Sequence, residues 1–554
     1  MGASRTLPQA LAEAARGDAG YCFVANGGGE VFRSYTDLQS RAFGVAAALR
    51  ESGLRRGDLV ALVLPDAEAF LTTLFGASLA GVIPASLYPP ATTVDLKRFF
   101  DLTAETLRAC DARAVVTAPS LAAGFDALRA ECPSLDFVLS RDALDGPPSE
   151  PQHAPSPDDI AFVQFTSGST SAPKGVVLSH ANVAANVDAI RGPSGLAAGP
   201  GDVAVSWLPL NHDMGLVGMA LGAMYSGRPA VLLPPHLFVR RPAEWLRAIT
   251  RHRGSISFAP NFAYDLCVRR IKDRDLEGLD LSSWRVAGCG AEPVYAATLD
   301  AFARRFEPVG FSRNSFLPSY GLAEHVVAAT FPARGRAPRT TVVSLESVSA
   351  RNIAAAAESG PSMTLVSCGV PLPGHRLRVV DEHGHPVADG HIGEIALAGP
   401  SVMLGYYRDD ALTSETIRDG WLHTGDLGFL SGGELFVCGR SKDVLIVNGR
   451  KYHPQDLEWA VDDIAGIRRG RVVAFGMSAG GRPDRVILVV EPNGTAPADV
   501  LINAIRRRIG DLFGVYVDEV ALVPSGTIGR TTSGKVQRSL TKARYERGEL
   551  LAAS

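Results

Sequence analysis

Apolar runs typical of β-strands alternate with helical patterns from the start of the chain. The run from Leu59 to Leu64 is strand-like, residues 70–79 carry apolar side chains at helical spacing, and Val82 and Ile83 resume a strand before Pro84. Parallel strands need a crossover connection, which is usually a helix. The alternation therefore predicts an α/β fold with mainly parallel sheets and flanking helices.

The spacing of apolar residues changes near residue 440. A chain of 554 residues is longer than one domain, since domains average about 150 residues. After Arg440 the sequence contains two helix-like and two strand-like stretches in a mixed order, at Gln455–Ile464, Val472–Phe475, Val486–Val490 and Asp499–Leu512. We therefore predict an N-terminal domain of residues 1–439 and a small α+β C-terminal domain of residues 440–554.

Charge and cysteine usage limit the partners and the compartment. Lys and Arg number 55 and Asp and Glu number 58, giving a formal net charge of −3, so the basic excess of a nucleic-acid-binding domain is absent. The seven cysteines include no C-x-x-C pair, which indicates reduced thiols. The longest charge-free run, Ala69 to Val94, is interrupted by prolines. We expect a cytoplasmic protein with no nucleic-acid partner and no membrane span.

The segment from Phe165 to His180, FTSGSTSAPKGVVLSH, contains a loop of small polar residues. Backbone N–H groups and hydroxyls of such a loop can wrap an anion, and Lys174 adds a full positive charge. A polyphosphate is the natural ligand for these groups, although the spacing does not fit the Walker A pattern. The alternative is a Ser/Gly-rich surface loop. The small residues concerned are Thr166, Ser167, Gly168, Ser169 and Thr170.

Four further segments occur in a fixed order after this loop. They are Ser319–Glu324 (SYGLAE), Gly425–Asp426 in WLHTGDLG, Gly439–Asp443 (GRSKD) and Gly534–Lys535 in TTSGKVQR. Together with the loop, they resemble the core motifs of the adenylate-forming superfamily, which includes acyl-CoA synthetases, peptide-synthetase adenylation domains and luciferases. The resemblance covers nearly the whole chain. It implies a large N-terminal adenylate-forming domain followed by a small mobile C-terminal domain.

The resemblance also implies a reaction in which ATP and Mg²⁺ convert a carboxylate into an acyl adenylate. Two anions meet in this reaction, so the site must neutralise charge before the carboxylate reaches the α-phosphorus. By resemblance, Lys535 is the catalytic lysine that bridges carboxylate and phosphate, and Glu324 holds the Mg²⁺ ion. Lys535 lies on the small domain, which must close to deliver it. Lys442 corresponds to the family's hinge residue, or it is an ordinary solvated lysine.

Nucleotide and acyl contacts follow from the same resemblance. Tyr320 would stack on adenine, Asp426 would accept hydrogen bonds from both ribose hydroxyls, and Arg440 would also reach the ribose. His212 resembles the residue that flanks the carboxylate end of the acyl pocket, with a packed core histidine as the alternative. The complete set expected to bind the nucleotide is Thr166, Ser167, Gly168, Ser169, Thr170, Lys174, Gly290, Ala291, Glu292, Ser319, Tyr320, Gly321, Asp426 and Arg440.

Other segments resemble one branch of the superfamily, the fatty acyl-AMP ligases, which pass the acyl group to a phosphopantetheinylated acyl carrier protein. They are Ile83–Pro90 (IPASLYPP), Ser206–Gly218 (SWLPLNHDMGLVG), Ser257–Arg270 (SFAPNFAYDLCVRR) and Asn448–Glu458 (NGRKYHPQDLE). The branch implies a fatty acid substrate and a separate carrier protein, with a role in polyketide, nonribosomal peptide or lipid biosynthesis.

The stretch between Glu324 and Gly369 supports the same branch. It spans 45 residues, which is longer than in related coenzyme A ligases, and its part from Thr340 to Met363 resembles the insertion of fatty acyl-AMP ligases. An added motif packed between the domains could hinder their rotation or close the path of coenzyme A. The alternative is a surface insertion, since loops accept added length at little cost.

Two other functions remain compatible with the motifs. One is a long- or medium-chain fatty acyl-CoA synthetase, which shares the first step and uses another acceptor. The other is a catalytically silent homologue that binds nucleotide or acyl ligands. The presence of Glu324, Asp426 and Lys535 favours an active enzyme.

Two segments allow more than one interpretation. Residues Asp381–His385 (DEHGH) with His391 suggest either a metal site or a hairpin turn, and the turn residues around Pro386 favour the hairpin. The run from Met214 to Leu221 has the composition both of an apolar tunnel wall and of an ordinary buried helix.

Overall fold

The computed structural model describes residues 5–90, 96–150, 154–166, 174–447, 450–479, 482–530 and 536–550. Within these ranges, no helix is both long enough and apolar enough to cross a membrane.

Sixteen α-helices occur in the described residues. In chain order they are α1 (Leu7–Ala14), α2 (Tyr35–Glu51), α3 (Ala67–Ala80), α4 (Leu96–Ala109), α5 (Pro119–Leu128), α6 (His180–Arg191), α7 (Gly222–Tyr225), α8 (Pro235–Arg240), α9 (Ala243–His252), α10 (Asn261–Arg270), α11 (Ala296–Phe306), α12 (Leu345–Arg351), α13 (Asp410–Thr416), α14 (Pro454–Val461), α15 (Ala498–Phe513) and α16 (Arg538–Glu546). A π-helical segment, Met214–Leu221, leads directly into α7.

The strands of the described residues begin near the N-terminus and continue past residue 519. In chain order they are β1 (Gly20–Val24), β2 (Glu30–Ser34), β3 (Leu59–Val63), β4 (Ile83–Ser86), β5 (Ala114–Thr117), β6 (Phe137–Ser140), β7 (Ile160–Thr166), β8 (Lys174–Ser179), β9 (Ala204–Ser206), β10 (Ala230–Leu232), β11 (Ile256–Ala259), β12 (Val286–Cys289), β13 (Phe316–Pro318), β14 (Thr330–Phe331), β15 (Thr340–Ser344), β16 (Ser362–Val366), β17 (Val370–Pro371), β18 (Arg376–Val380), β19 (Gly393–Ala398), β20 (Gly405–Tyr406), β21 (Ile417–Arg418), β22 (Trp421–Ser431), β23 (Glu434–Arg440), β24 (Leu445–Val447), β25 (Arg450–Tyr452), β26 (Ile467–Ala479), β27 (Arg482–Pro492) and β28 (Glu519–Leu522).

Two seven-stranded sheets form the scaffold. The first has the order β13-β12-β11-β9-β10-β1-β2, and all its strands are parallel except the edge strand β2. The second has the order β20-β8-β7-β4-β3-β5-β6. Strands β7, β4, β3, β5 and β6 are parallel to one another, whereas β8 is antiparallel to β7 and β20 is antiparallel to β8. The predicted α/β fold with mainly parallel sheets and flanking helices is confirmed.

Local sequence signals explain how these units form. β3 is buried along its whole length, as expected for a parallel strand covered on both faces. Helix α3 begins at Asp66, whose side chain accepts a hydrogen bond from the Ala69 N–H at 2.8 Å, and ends at Gly81 in the left-handed conformation. A capping aspartate and a left-handed glycine therefore define the two ends of α3.

A third sheet is antiparallel and is formed by strands within residues 376–440. Its order is β18-β19-β22-β21, and β23 pairs with β22. The turn after β18 is the segment DEHGH, in which Asp381 accepts hydrogen bonds from the N–H groups of His383 and His385, both at 2.9 Å. The hairpin interpretation of this segment is confirmed.

The segment Thr340–Met363 contains β15 and α12 and ends at the start of β16, which pairs with β15 in the antiparallel direction. Val343 and Val348 pack against Phe429 and Phe436 of the third sheet. Helix α12 lies against β25, which follows residue 440. The extra stretch is therefore packed between the third sheet and the C-terminal segment.

The residues from 445 onward have hydrophobic clusters of their own. The sheet β26-β27-β28 carries α14 and α15 on one face and α16 on the other. Helix α14 ends at Val461, three residues before the predicted end. Strands β26 and β27 are longer than the predicted apolar runs, because polar residues at their ends also take part in the pairing of the two strands. Tyr295 and Trp459 stack with ring centroids 3.8 Å apart, which joins this segment to the scaffold.

Candidate active site

A cleft of about 1420 Å³ lies between the scaffold, the third sheet and the C-terminal segment. Many of the residues singled out from the sequence line it: Lys174, His212, Ala291, Glu292, Ser319, Tyr320, Gly321, Glu324, Asp426, Arg440 and Lys442. The side chain of Thr166, and the whole of Ser167, Gly168, Ser169, Thr170 and Lys535, lie outside the described residues. The cleft therefore collects predicted residues that are far apart in the sequence.

Asp426 is held by two side chains at the centre of the cleft. The Tyr320 hydroxyl donates a hydrogen bond to Oδ2 at 2.8 Å, and Arg440 Nε donates to Oδ1 at 3.1 Å. Asp426 and Arg440 are cross-strand neighbours in the β22–β23 pair, which explains their contact. Burial and the Asp426 carboxylate raise the pKa of Tyr320 well above its usual value, so its hydroxyl remains a donor. A carboxylate has about four acceptor positions, so the fixed Asp426 can accept further hydrogen bonds.

Glu324 lies on a short turn beside the strand that follows the polar loop. The Tyr406 hydroxyl donates a hydrogen bond to Glu324 Oε1 at 2.8 Å. Tyr406 pairs with Val176 between β20 and β8, and Lys174 Nζ lies 5.2 Å from the centroid of the Tyr406 ring. The arrangement places a carboxylate and an ammonium group beside one tyrosine at the wall of the cleft.

Tyr406 is a site residue that the sequence analysis missed. It is separated from Glu324 by 82 positions, and only the tertiary fold brings them together. Asn182 holds the segment that precedes β20, because its side-chain amide donates hydrogen bonds to Pro400 O at 2.8 Å and to Val402 O at 3.0 Å. No local pattern in the stretch GYYRD indicates this contact.

His212 lies at another wall of the cleft. Its Nδ1 is 2.6 Å from Asp213 Oδ1, and both side chains are mostly buried. Gln164, also missed by the sequence analysis, donates a hydrogen bond from Nε2 to Asn211 O at 2.7 Å and so fixes the residue before His212. Of the apolar run that follows, Met214 and Gly218 border the cleft, whereas Leu216 and Val217 are fully buried in the core.

The stretch Gly290–Glu292 is closely packed. A Cβ atom at Gly290 would lie 2.7 Å from Ser319 O, so only glycine fits there. Ala291 has φ +67°, a left-handed conformation that costs energy for a side-chain-bearing residue. Glu292 Oε1 accepts a hydrogen bond from the Phe262 N–H at 2.6 Å. The backbone of this stretch therefore approaches the SYGLAE segment in one fixed position.

The segment after Lys535 is anchored at the edge of the cleft. Val536 and Gln537 line the cleft. Arg538 donates hydrogen bonds to Asp443 Oδ2 at 2.6 Å and to Glu458 Oε2 at 2.9 Å. The Asp443 ion pair ties the start of α16 to the turn that carries Lys442, whose side chain is exposed, and the Glu458 ion pair ties it to α14. Arg538 was not predicted from the sequence because its partners are 80 and 95 residues away.

Comparisons with known proteins agree with this geometry. The family described as AMP-binding enzyme matches residues 11–407. A protein of Caulobacter vibrioides named as an acyl-CoA synthetase is 35% identical and covers 98% of this chain and 96% of its own. A medium-chain fatty acid–acyl-carrier-protein ligase of Moorena producens is 33% identical over 96% of this chain and 93% of its own. A structure from a study of fatty acyl-adenylate ligases of E. coli and L. pneumophila superposes with a TM-score of 0.92, at 36% identity and 98% coverage of both chains.

Proposed function

The chain belongs to the AMP-binding enzymes and, among them, to the fatty acyl-AMP ligases, and from this membership we propose its reaction. The enzyme joins a fatty acid to the α-phosphate of ATP, releases pyrophosphate, and transfers the acyl group to the phosphopantetheine thiol of an acyl carrier protein. The observation that carries the proposal is the convergence of Glu324, Asp426 and Lys174 on one cleft.

Charge complementarity supports the adenylation step. ATP and a carboxylate are both anionic, and the cleft offers cationic side chains of Lys174 and Arg440. Asp426 accepts hydrogen bonds from the ribose hydroxyls, because its two oxygens are oriented by Tyr320 and Arg440. We propose that Lys535 contacts the reacting carboxylate and phosphate, since the residues that follow it, Val536 and Gln537, line the cleft. His212 flanks the acyl carboxylate.

The Glu324 carboxylate suits a magnesium ion. Within the described residues its only hydrogen-bond donor is Tyr406, which occupies Oε1 and leaves Oε2 for a ligand. Mg²⁺ prefers carboxylate oxygens and keeps several waters and phosphate oxygens as its other ligands. When bound, the ion neutralises phosphate charge. Glu324 orients it, and Tyr406 orients Glu324.

Substitution of Tyr406 by Phe tests this arrangement. A hydrogen bond to a charged group contributes about 1.5–3 kcal/mol, so we expect kcat/KM for ATP to fall by about tenfold or more at limiting Mg²⁺. The measurement is pyrophosphate release over a range of Mg²⁺ concentrations. Tyr407→Phe is the matched control, since Tyr407 is adjacent and does not line the cleft. Equal Mg²⁺ dependence in both variants and the wild type would refute the role of Tyr406.

The choice of acceptor is proposed to depend on the stretch Thr340–Met363. Its position between the third sheet and β25 supports a block on the domain movement or on the path that coenzyme A needs. We propose that residues 440–554 form the mobile domain and that Lys442 is its hinge. The carrier protein delivers its thiol by another approach to the same cleft.

Replacement of residues 340–363 by a short Gly/Ser linker is expected to permit acyl-CoA formation. Adenylation should persist, because none of the residues assigned to ATP lies in this stretch. The measurement is acyl-CoA by mass spectrometry, with pyrophosphate release from the same sample as the control for folding. A variant that adenylates normally and still forms no acyl-CoA would show that the stretch does not select the acceptor.

The experiment that tests the proposed function is pyrophosphate release from ATP and Mg²⁺ with a panel of fatty acids of different chain length. We expect release that depends on both ATP and fatty acid, together with an acyl adenylate in the mass spectrum. An absence of release with every fatty acid would contradict the proposal and favour a silent homologue. The seven unpaired cysteines support a cytoplasmic location for this enzyme.

A further inference from the structure

A group of three potential metal ligands lies away from the cleft, on the first sheet. Cys22 belongs to β1, Glu30 begins β2, and His252 ends α9. In the β1–β2 ladder Glu30 is opposite Val24, so the Cys22 and Glu30 side chains share one face of the sheet. None of the three residues lines the cleft. Their grouping is therefore independent of the adenylation site.

The distances within this group match those of a metal site. Cys22 Sγ is 3.6 Å from Glu30 Oε2, and His252 Nε2 is 3.1 Å from the same oxygen. The bond lengths of tetrahedral zinc sites put sulfur and oxygen ligands about 3.6 Å apart and nitrogen and oxygen ligands about 3.4 Å apart. Among the described residues, this is the group whose three ligand atoms all lie within 4.8 Å of one another.

The surroundings of the group also suit a cation. His252 Nε2 is shielded from solvent, and the polar atom that it faces is Glu30 Oε2 at 3.1 Å. Arg251 pairs with the other Glu30 oxygen, Oε1, which leaves Oε2 directed at the cysteine and the histidine. Partners of this kind orient metal-binding carboxylates in known sites.

We propose that Cys22, Glu30 and His252 bind a zinc ion, with water as the fourth ligand. A thiolate and an imidazole select zinc over magnesium or calcium, which prefer oxygen ligands. Binding replaces the thiol proton of Cys22 by a sulfur–zinc bond and releases that proton to solvent. The ion joins the edge strand β2 to the end of α9 and so fixes the outer hairpin on the first sheet.

Cobalt provides the test because Co²⁺ occupies zinc sites and absorbs light when a thiolate binds it. The full-length, metal-free enzyme is titrated with Co²⁺, and then with Zn²⁺ in a calorimeter. We expect one equivalent to bind, with a sulfur-to-cobalt charge-transfer band that Zn²⁺ removes. Cys22→Ser should abolish the band, and His252→Gln should weaken Zn²⁺ binding by more than about tenfold, the loss that even changes outside the ligand sphere cause.

His385→Gln is the matched control, since His385 is an exposed histidine of the DEHGH turn. This variant should bind cobalt and zinc like the wild type. Glu30→Gln keeps the thiol and provides a second ligand variant if Cys22→Ser does not fold, and circular dichroism checks each protein. The proposal is wrong if the wild type shows no thiolate band, if Cys22→Ser keeps the band, or if His252→Gln binds Zn²⁺ as tightly as the wild type. Loss of binding in His385→Gln would likewise contradict it, because the metal would then lie at the DEHGH turn.

Discussion

Replacement of Lys535 by Ala is expected to slow adenylate formation by about a hundred- to a thousandfold, the loss seen when one group that stabilises transition-state charge is removed. The ammonium group would neutralise charge where the fatty acid carboxylate meets the α-phosphate. That interaction is strongest in the transition state, so the rate should fall far more than the affinity for ATP. Single-turnover formation of acyl adenylate and calorimetric ATP binding measure the two effects separately.

The matched control for this variant is Lys451→Ala. Lys451 is an exposed lysine of the same C-terminal segment and does not line the cleft. Its adenylation rate should equal that of the wild type. A wild-type rate in Lys535→Ala would refute the catalytic role assigned to this lysine. Loss of ATP binding in Lys535→Ala would indicate either a folding defect or a contact of Lys535 with ATP before the reaction.

Replacement of Asp426 by Ala is expected to lower kcat/KM for ATP by about a hundredfold or more, since each lost hydrogen bond to a charged group costs about 1.5–3 kcal/mol. The carboxylate is mostly buried and is oriented from two sides by Tyr320 and Arg440. Both of its oxygens are therefore presented to the ribose without reorganisation. The measurement is pyrophosphate release with ATP and with 2′-deoxy-ATP.

The deoxynucleotide separates ribose recognition from a general loss of structure. The wild type should prefer ATP to 2′-deoxy-ATP by about tenfold or more, because one hydroxyl contact is missing. Asp426→Ala should use the two nucleotides with nearly equal efficiency. If the variant keeps the wild-type preference, Asp426 does not read the ribose 2′-hydroxyl.

The residues that could be predicted from the sequence lie in short local motifs. Glu324 and Asp426 are embedded in short motifs whose neighbours, such as the glycine before Asp426, also have fixed roles in the backbone. The same is true of the α/β scaffold, because strand burial and helix caps are local signals. The close packing of Gly290 on Ser319 also corresponds to a motif that could be recognised.

The residues that were missed act through contacts between distant parts of the chain. Tyr406 reaches Glu324 from a strand that joins the second sheet at its edge, and Arg538 reaches Asp443 and Glu458 across the C-terminal segment. Gln164 acts on the backbone of Asn211, which leaves no trace in side-chain patterns. Only the packed fold identifies such partners, since residue type and spacing carry no information about them.

We expect the acyl group formed in this cleft to pass to a carrier protein and not to coenzyme A. The most direct measurement incubates the enzyme with ATP, Mg²⁺ and its preferred fatty acid, with coenzyme A and a phosphopantetheinylated acyl carrier protein in the same reaction, and identifies the products by mass spectrometry. Acyl adenylate and acylated carrier protein should form, with almost no acyl-CoA. Formation of acyl-CoA at the rate of pyrophosphate release, with the carrier protein left unacylated, would contradict it.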